Sequence, residues 1–504
     1  MELRRLALFV AFILALGLPR LARAATINIG PTDDYTKIEA AQPGDEVVIA
    51  PGTYKFLVYL TQKAPANNPI VIRAADPKNP PVWDLSGMSA DTAPGSYTAG
   101  DRGRGCWQLS GATNITIESI VFTGCRNGSE NAAGIRYYNG STGIVVRDCL
   151  FRENDNGFTG GSQDSEATVE FSEFDSNGNT TASSPTHNLY IYGGTFTLRY
   201  SYIHDPTQAQ NLHCRAKQSL IESNWFAHGK SYEADLMTDD DADGSSAFSQ
   251  SMIFRGNVVV EGNPDNHGQI IAVYNDTGTP NLTLSVEALN NTVVAAATQG
   301  ALVHLSNADG TKMSAVISNN VLEVSTTAFN IEDTANGTVS GANNWFLTGT
   351  QVGPLTGSVF GSDPMLDATY RPKAGSPVIG AAASVQDAPI TEYYLDDKTT
   401  RMYRVRASVK DLGAFESTTT GPGIGPYDTQ PTLDAGTGDG GGAGDGGGAG
   451  DSGGIGDGSD AGAGAGGGSG CGCDVPGGEA PASEIAILAV FLGLACRRRS
   501  RRAS

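Results

Sequence analysis

The chain has 504 residues, a hydrophobic fraction of 39%, 65 glycines and a formal net charge of -21. The length admits two or three domains, but a charge this negative excludes general nucleic-acid binding and leaves an unaided polyanion little to bind. A polyuronate partner would need a metal bridge or a local basic groove.

Residues 1–24 carry Arg4 and Arg5, an apolar run from Leu6 to Leu18, and Ala22-Arg23-Ala24. Together these read as a secretory leader removed before Ala25, which makes the mature chain an exported one in which disulfides are allowed. Residues 25–60 follow with a short amphipathic stretch, Tyr35 to Ala41, then Pro43-Gly44-Asp45 and a strand from Glu46 to Ala50. A cap over the open end of a repeat array is the expected role.

From residue 61 to 417 one phrase recurs nine times, and its last apolar residue is Phe122, Phe151, Phe174, Ile203, Phe226, Val259, Val293, Leu322 and Phe346, spaced 23 to 34 residues apart. Each copy is expected to form one turn of a parallel β-helix, an all-β solenoid. Two positions before the anchor stand Cys149, Ser172 and Ser201, then Asn224, Asn257, Asn291, Asn320 and Asn344. These predict a ladder of inward side chains at tight turns, with asparagine tolerating left-handed backbone and bonding to the amide stacked above. The second position of the phrase reads Glu118, Arg147, Glu170, Arg199, Glu222, Arg255, an expected column of exposed ion pairs that penalises a slipped register. Cys106 and Cys125 could pair, whereas Cys149 and Cys214 read as buried thiols.

Two segments, His187 to Gly194 and Asn211 to Gln218, superpose through a 23-residue offset. Strand alternation then turns Asn188, Tyr190 and Tyr192 outward beside Asn211, His213 and Arg215, and Tyr202 beside Trp225 is expected to lengthen that surface. Aromatics suit sugar ring faces, amides suit hydroxyls and Arg215 suits a carboxylate. For β-elimination on a uronic acid, Arg215 would neutralise the carboxylate, His213 or Lys217 would take the C5 proton, and Tyr190 or His187 would protonate the leaving oxygen. Weak glycan binding and a plain solvated face remain alternatives, and Glu170, Glu173, Glu233 and Asp235 are candidates for glycoside hydrolysis. Asp239, Asp241, Asp243 and Gly244 fit the first half of a calcium loop, although its twelfth position is Gln250. His204-Asp205 reads as a turn pair, and His228, His267 and His304 show no metal-ligand spacing.

After residue 417, residues 418–470 form a Gly/Asp-rich stretch with Asp439, Asp445, Asp451 and Asp457 every six residues, expected to be a flexible linker. Residues 471–504 hold Cys471-Gly472-Cys473, an apolar run from Ile485 to Cys496, and Arg497, Arg498, Arg499, Arg501 and Arg502.

PGDEVVIAPGTY at Pro43 to Tyr54 and IVIRAADPKNPPVWD at Ile70 to Asp84 resemble the amino-terminal part of pectate-lyase-like right-handed β-helix proteins. DPMLDATYRPKAGSPVIGA at Asp363 to Ala381 and DLGAFE at Asp411 to Glu416 resemble the way many of them close. The resemblance spans residues 26 to 417 and implies a right-handed coil acting on or binding an extracellular polysaccharide, as a lyase or as a non-catalytic adhesin. Such lyases often carry a run N-x-K-S-R-A and use a Lys or Arg base assisted by calcium; here the run is Asn211-Leu212-His213-Cys214-Arg215-Ala216, with His213 where the lysine is expected. The final segment resembles a MYXO-CTERM sorting tail. That implies membrane retention, removal of the tail by a sorting protease and display at the cell surface, the alternative being a simple membrane anchor; separately, the chain is expected to be a monomer.

Overall fold

A computed structural model describes residues 24–428, except 98–101, 183, 239–247, 262–268, 277–278, 280, 296–300, 325, 396–400 and 419–420. All of these belong to one compact unit that ends at Leu433. The expected leader, most of the expected linker and the expected sorting tail lie outside the described residues.

The repeat phrase folds as its pattern requires. In Ile115–Glu118, Ile115 and Ile117 point inward; Ser119 then takes φ 55° and turns the chain, and Phe122 enters the core from the next strand. Repetition of this unit builds a right-handed parallel β-helix with three parallel sheets. The first has twelve strands, from Thr26–Ile29 to Gly337–Ser340; the second has twelve, from Thr53–Tyr54 to Val359–Gly361; the third has ten, from Val58–Leu60 to Phe329–Ile331. The nine anchors pair in one unbroken column, Phe122 on Phe151 on Phe174 and onward to Phe346. Near its start the rings stack at 5.1 and 4.7 Å.

Beside the anchors runs the asparagine ladder. Each Nδ2 donates to the next Oδ1 from Asn224 through Asn257, Asn291 and Asn320 to Asn344, at 3.1, 3.2, 2.9 and 2.9 Å. The left-handed residue is not the ladder asparagine but the one before it: Ser223, Gly256, Asn290, Asn319 and Asn343 take φ from 50° to 63°. That corner turns the following side chain inward. Cys149 and Cys214 are buried free thiols, and Cys106 and Cys125 form a disulfide. The charged column is in register, with Arg147 bonded to Glu118 at 3.0 Å and to Glu170 at 2.6 Å. It is less exposed than expected: Glu170 is 2% exposed.

Thr26–Ile29 pairs with Glu46–Ile49, so residues 25–60 contain the first strands, and the helix between those two strands, Tyr35–Glu39, has Asp34 as its N-cap. At the other end, Val359–Gly361 is the last parallel strand. Residues beyond it fold back along the left-handed corner instead of adding turns. Asn343 donates to Ala381, Asn319 to Ala383, Arg255 to Asp387 and Ser223 to Thr391. Arg401 then pairs with Glu173 and Asp148, Tyr403 stacks on Tyr200 at 4.3 Å, and Tyr427 donates to Asp148 at 2.8 Å.

A second buried column, not announced by the phrase, lies at another corner. Asn154 donates to Asn177, Asn177 to Asn188, Asn188 to Asn211, and Asn211 to Glu233, at 2.9, 2.8, 2.7 and 2.6 Å.

Candidate functional site

The third sheet carries the chemistry. Strands Leu189–Tyr192, Leu212–Arg215 and Ala234–Met237 lie side by side in it, so Tyr190 pairs with His213 and His213 with Asp235, while Tyr192 pairs with Arg215. One row across this face reads Gln108, Arg136, Thr159, Tyr190, His213, Asp235.

Asp235, fully buried, lies 2.7 Å from His213 Nδ1 and also accepts from the Cys214 amide at 2.9 Å. Gln210 donates to the same carboxylate, and Tyr274 reaches it at 3.3 Å. Burial, and then the charge of Asp235, push the Tyr274 hydroxyl far up, so it remains a donor. With the Nδ1 proton directed at Asp235, His213 Nε2 is left as an acceptor, and Arg215 Nε donates to it at 3.0 Å. The Arg215 guanidinium in turn forks onto Asp276 at 3.1 and 2.6 Å and donates to the Thr238 carbonyl. A carboxylate thus orients an imidazole whose free lone pair meets a guanidinium.

Next to this chain of partners the surface opens into a cavity of about 610 Å³ whose lining includes Arg104, Glu130, Arg136, Tyr138, Tyr190 and Tyr192. Gly161, which also lines it, takes φ 130°, and an added Cβ there would sit 1.5 Å from the Tyr192 carbonyl oxygen, so the close approach of the two turns at this point requires glycine. Arg136 lies over the Tyr138 ring at 4.1 Å, a cation on an aromatic floor.

Of the residues predicted from the sequence, Tyr190, Tyr192, His213 and Arg215 come together here. His187 stacks on His213 at 4.7 Å but is 3% exposed; burial, and then His213, hold its pKa well below the usual imidazole value, so it is neutral and has no proton to give as an acid. Asn188 and Asn211 point inward, fully buried in the second ladder, and do not reach a surface ligand. Each stands at the corner before its strand, where alternation does not yet apply. Lys217 sits at the next corner, lining a separate recess of about 280 Å³ with Asp164 and Glu166. Tyr202 and Trp225 do pair, but in the second sheet; Tyr202 stacks on His204 and Trp225 packs on Tyr370 of the returning segment, so neither extends the platform. Asp239, Asp241 and Asp243 lie outside the described residues.

Sequence reasoning missed Arg104, Arg136, Tyr138 and Asp276, and assigned Asp235 another role. Arg136 and Tyr138 had a signal, because strand Ala133–Tyr138 belongs to the same sheet face, but the 31 residues between paired Thr159 and Tyr190 hide the alignment. Among the described residues, Asp175, His204 and Asp205 form the one group whose ligand atoms could hold a metal ion. Asp235 and Asp276, the carboxylates beside the cavity wall, are paired with His213 and Arg215.

No protein-family model matches the chain, and no curated protein matches it in sequence. Among solved structures, it is similar to an alginate lyase from Paenibacillus sp. str. FPU-7, at 15% identity and TM-score 0.46 over 67% of this chain and 98% of that one. It is similar to pectate lyase Pel9A at 13% identity and TM-score 0.48, over 79% and 97% of the two chains. A lacto-N-biosidase from Eubacterium ramulus aligns at 11% identity and TM-score 0.44, over 67% and 68%. At these identities the likeness is one of coil architecture alone.

Proposed function

We propose that the chain acts on an extracellular acidic polysaccharide by β-elimination, with the glycan lying in the trough of the third sheet. The observation that carries this reading is that Tyr190, which lines the cavity, packs edge-on against His213 at 4.6 Å, beside the Asp235–His213–Arg215 relay. The aromatic floor suits sugar faces, and Arg104 and Arg136 suit carboxylates despite the negative overall charge. In the reaction, a substrate carboxylate draws Arg215 away from Asp276 and from His213 Nε2. The freed Nε2 takes the C5 proton, the electron pair forms the C4–C5 double bond, the C4–O bond breaks, and Tyr190 protonates the departing oxygen. Asp235 keeps the imidazole in the required tautomer and steadies its charged form. Calcium held by Asp239, Asp241 and Asp243 belongs to the same proposal, as do export by the leader, a flexible stalk and monomeric display through a tail that a sorting protease removes.

Digestion of a polyuronate panel, with and without chelator, tests the reading through the ultraviolet absorbance of unsaturated products. Asp235→Asn and Arg215→Ala are each expected to lower the rate about 100-fold or more, the range for losing a positioned acid–base group. Absence of unsaturated product from every polyuronate would overturn it. One observation favours an adhesin instead: His213 has protein partners at both ring nitrogens, and Arg215 is already paired with Asp276. An adhesin retains the glycan without shortening it.

A further inference from the structure

The second sheet brings together side chains that the trough does not use. We propose that Asp175, His204, Asp205 and His228 form a binding site for a transition-metal ion of the zinc class, linking three successive turns of the coil.

His204 Nδ1 lies 2.8 Å from Asp205 Oδ2 and 3.8 Å from Asp175 Oδ1. Ligand atoms about 2.1 Å from a tetrahedral ion stand about 3.4 Å apart, so these separations need only small adjustments. His228 Nδ1 meets the other oxygen of Asp205 at 2.8 Å, and its side chain is exposed enough to rotate inward. The imidazole of His204 is already aimed. Its Nε2 lies 3.3 Å from Glu173 Oε1, the other Glu173 oxygen is held by Arg401 at 2.6 Å, and the Tyr202 ring stacks on it at 3.9 Å and 16°. With Nε2 protonated toward Glu173, Nδ1 carries the lone pair that a metal requires, and a carboxylate behind the ligating imidazole is the usual support for such a ligand. Imidazole donors select zinc, cobalt or nickel over calcium, which takes oxygen ligands.

The column pairing explains why these residues meet. Asp175 pairs with His204, and His204 with Ala227, so Asp205 and His228 occupy equivalent corner positions one turn apart. Both have left-handed φ, 48° and 57°. An ion there would add a lateral link to the backbone hydrogen bonds that already join these turns, from the Asp205 amide to the Ala227 carbonyl at 3.2 Å and from the His228 amide to the Val260 carbonyl at 3.3 Å.

The test uses the full chain, stripped of metal and with its accessible thiols alkylated so that Cys471 and Cys473 do not compete. Zinc is expected to raise the unfolding temperature, and cobalt to give the visible absorption of a nitrogen–oxygen site, saturating at one equivalent. Asp205→Asn is expected to weaken zinc binding at least 100-fold and Glu173→Gln about 10- to 100-fold. Asp175→Asn, a milder change in a half-buried side chain, should keep the metal-free unfolding temperature while losing most of the zinc-induced rise. A wild-type chain that zinc does not stabilise, or a zinc response in Asp205→Asn and Asp175→Asn equal to that of the wild type, would overturn the proposal.

Discussion

Asn291→Ala is expected to destabilise the coil by about 3–5 kcal/mol, read as a lowered urea midpoint with an unchanged slope. The asparagine is fully buried at the middle of the ladder. Its Oδ1 accepts from the backbone and side-chain amides of Asn257 at 3.0 and 3.2 Å, and its Nδ2 donates to the Phe254 carbonyl and Asn320 Oδ1, each at 2.9 Å. Truncation leaves several groups without partners where water cannot replace them, and each such group costs about 1–3 kcal/mol. Alanine also leaves a void beside the anchor column. Lys37→Ala, which removes an exposed ion pair with Asp33, should lower that midpoint far less. Equal losses in the two variants would show that the ladder contributes no more than a surface pair.

The second large effect concerns pH. Glu233 ends the other ladder, fully buried, accepting from Asn211 at 2.6 Å and from the Gly229 amide at 2.8 Å. Burial, and then the nearby charge of Glu261, raise its pKa well above the ordinary 4.5, against the smaller pull of the Asn211 and Gly229 hydrogen bonds. The folded chain therefore keeps a proton that the unfolded chain releases. This group favours folding fully below pH 4.5, and that contribution is lost as the pH rises through its folded value. The loss amounts to about 1.4 kcal/mol for each pH unit over which only the folded state holds the proton. Glu233→Gln supplies the same acceptor oxygen without the ionisation. The difference in stability between variant and wild type should therefore grow from pH 5 to pH 8 in favour of the variant; parallel profiles would show that Glu233 ionises normally.

The coil was legible in the sequence because an anchor and a ladder residue recur at a fixed offset, and each new turn must place them on the last. That rule predicted the column from Phe122 to Phe346 and the asparagines beside it. It also brought Tyr190, Tyr192, His213 and Arg215 to one face, since two turns of equal length align without ambiguity. Asn188 and Asn211 were misplaced because a corner does not alternate as a strand does. Arg136 escaped because a longer turn between Thr159 and Tyr190 breaks the equal spacing that would have aligned it with them. Tyr202 and Trp225 were paired correctly and assigned to the wrong sheet, since neighbouring sheets follow one another without a break in hydrophobic pattern. Asp276 and His228 carry no local signal at all; they meet their partners only after the turns are stacked.

A plain solenoid held only by neighbour contacts can fray, shedding its end turns singly while the middle stays intact. Here the returning segment is tied to the corner at Asn343, at Ser223 and, through Tyr427, at Asp148. Peeling one turn strains bonds to a segment that also grips turns far along the axis. The coil should consequently melt as a single cooperative body, and one proteolytic nick in that segment would be enough to let its ends unravel separately.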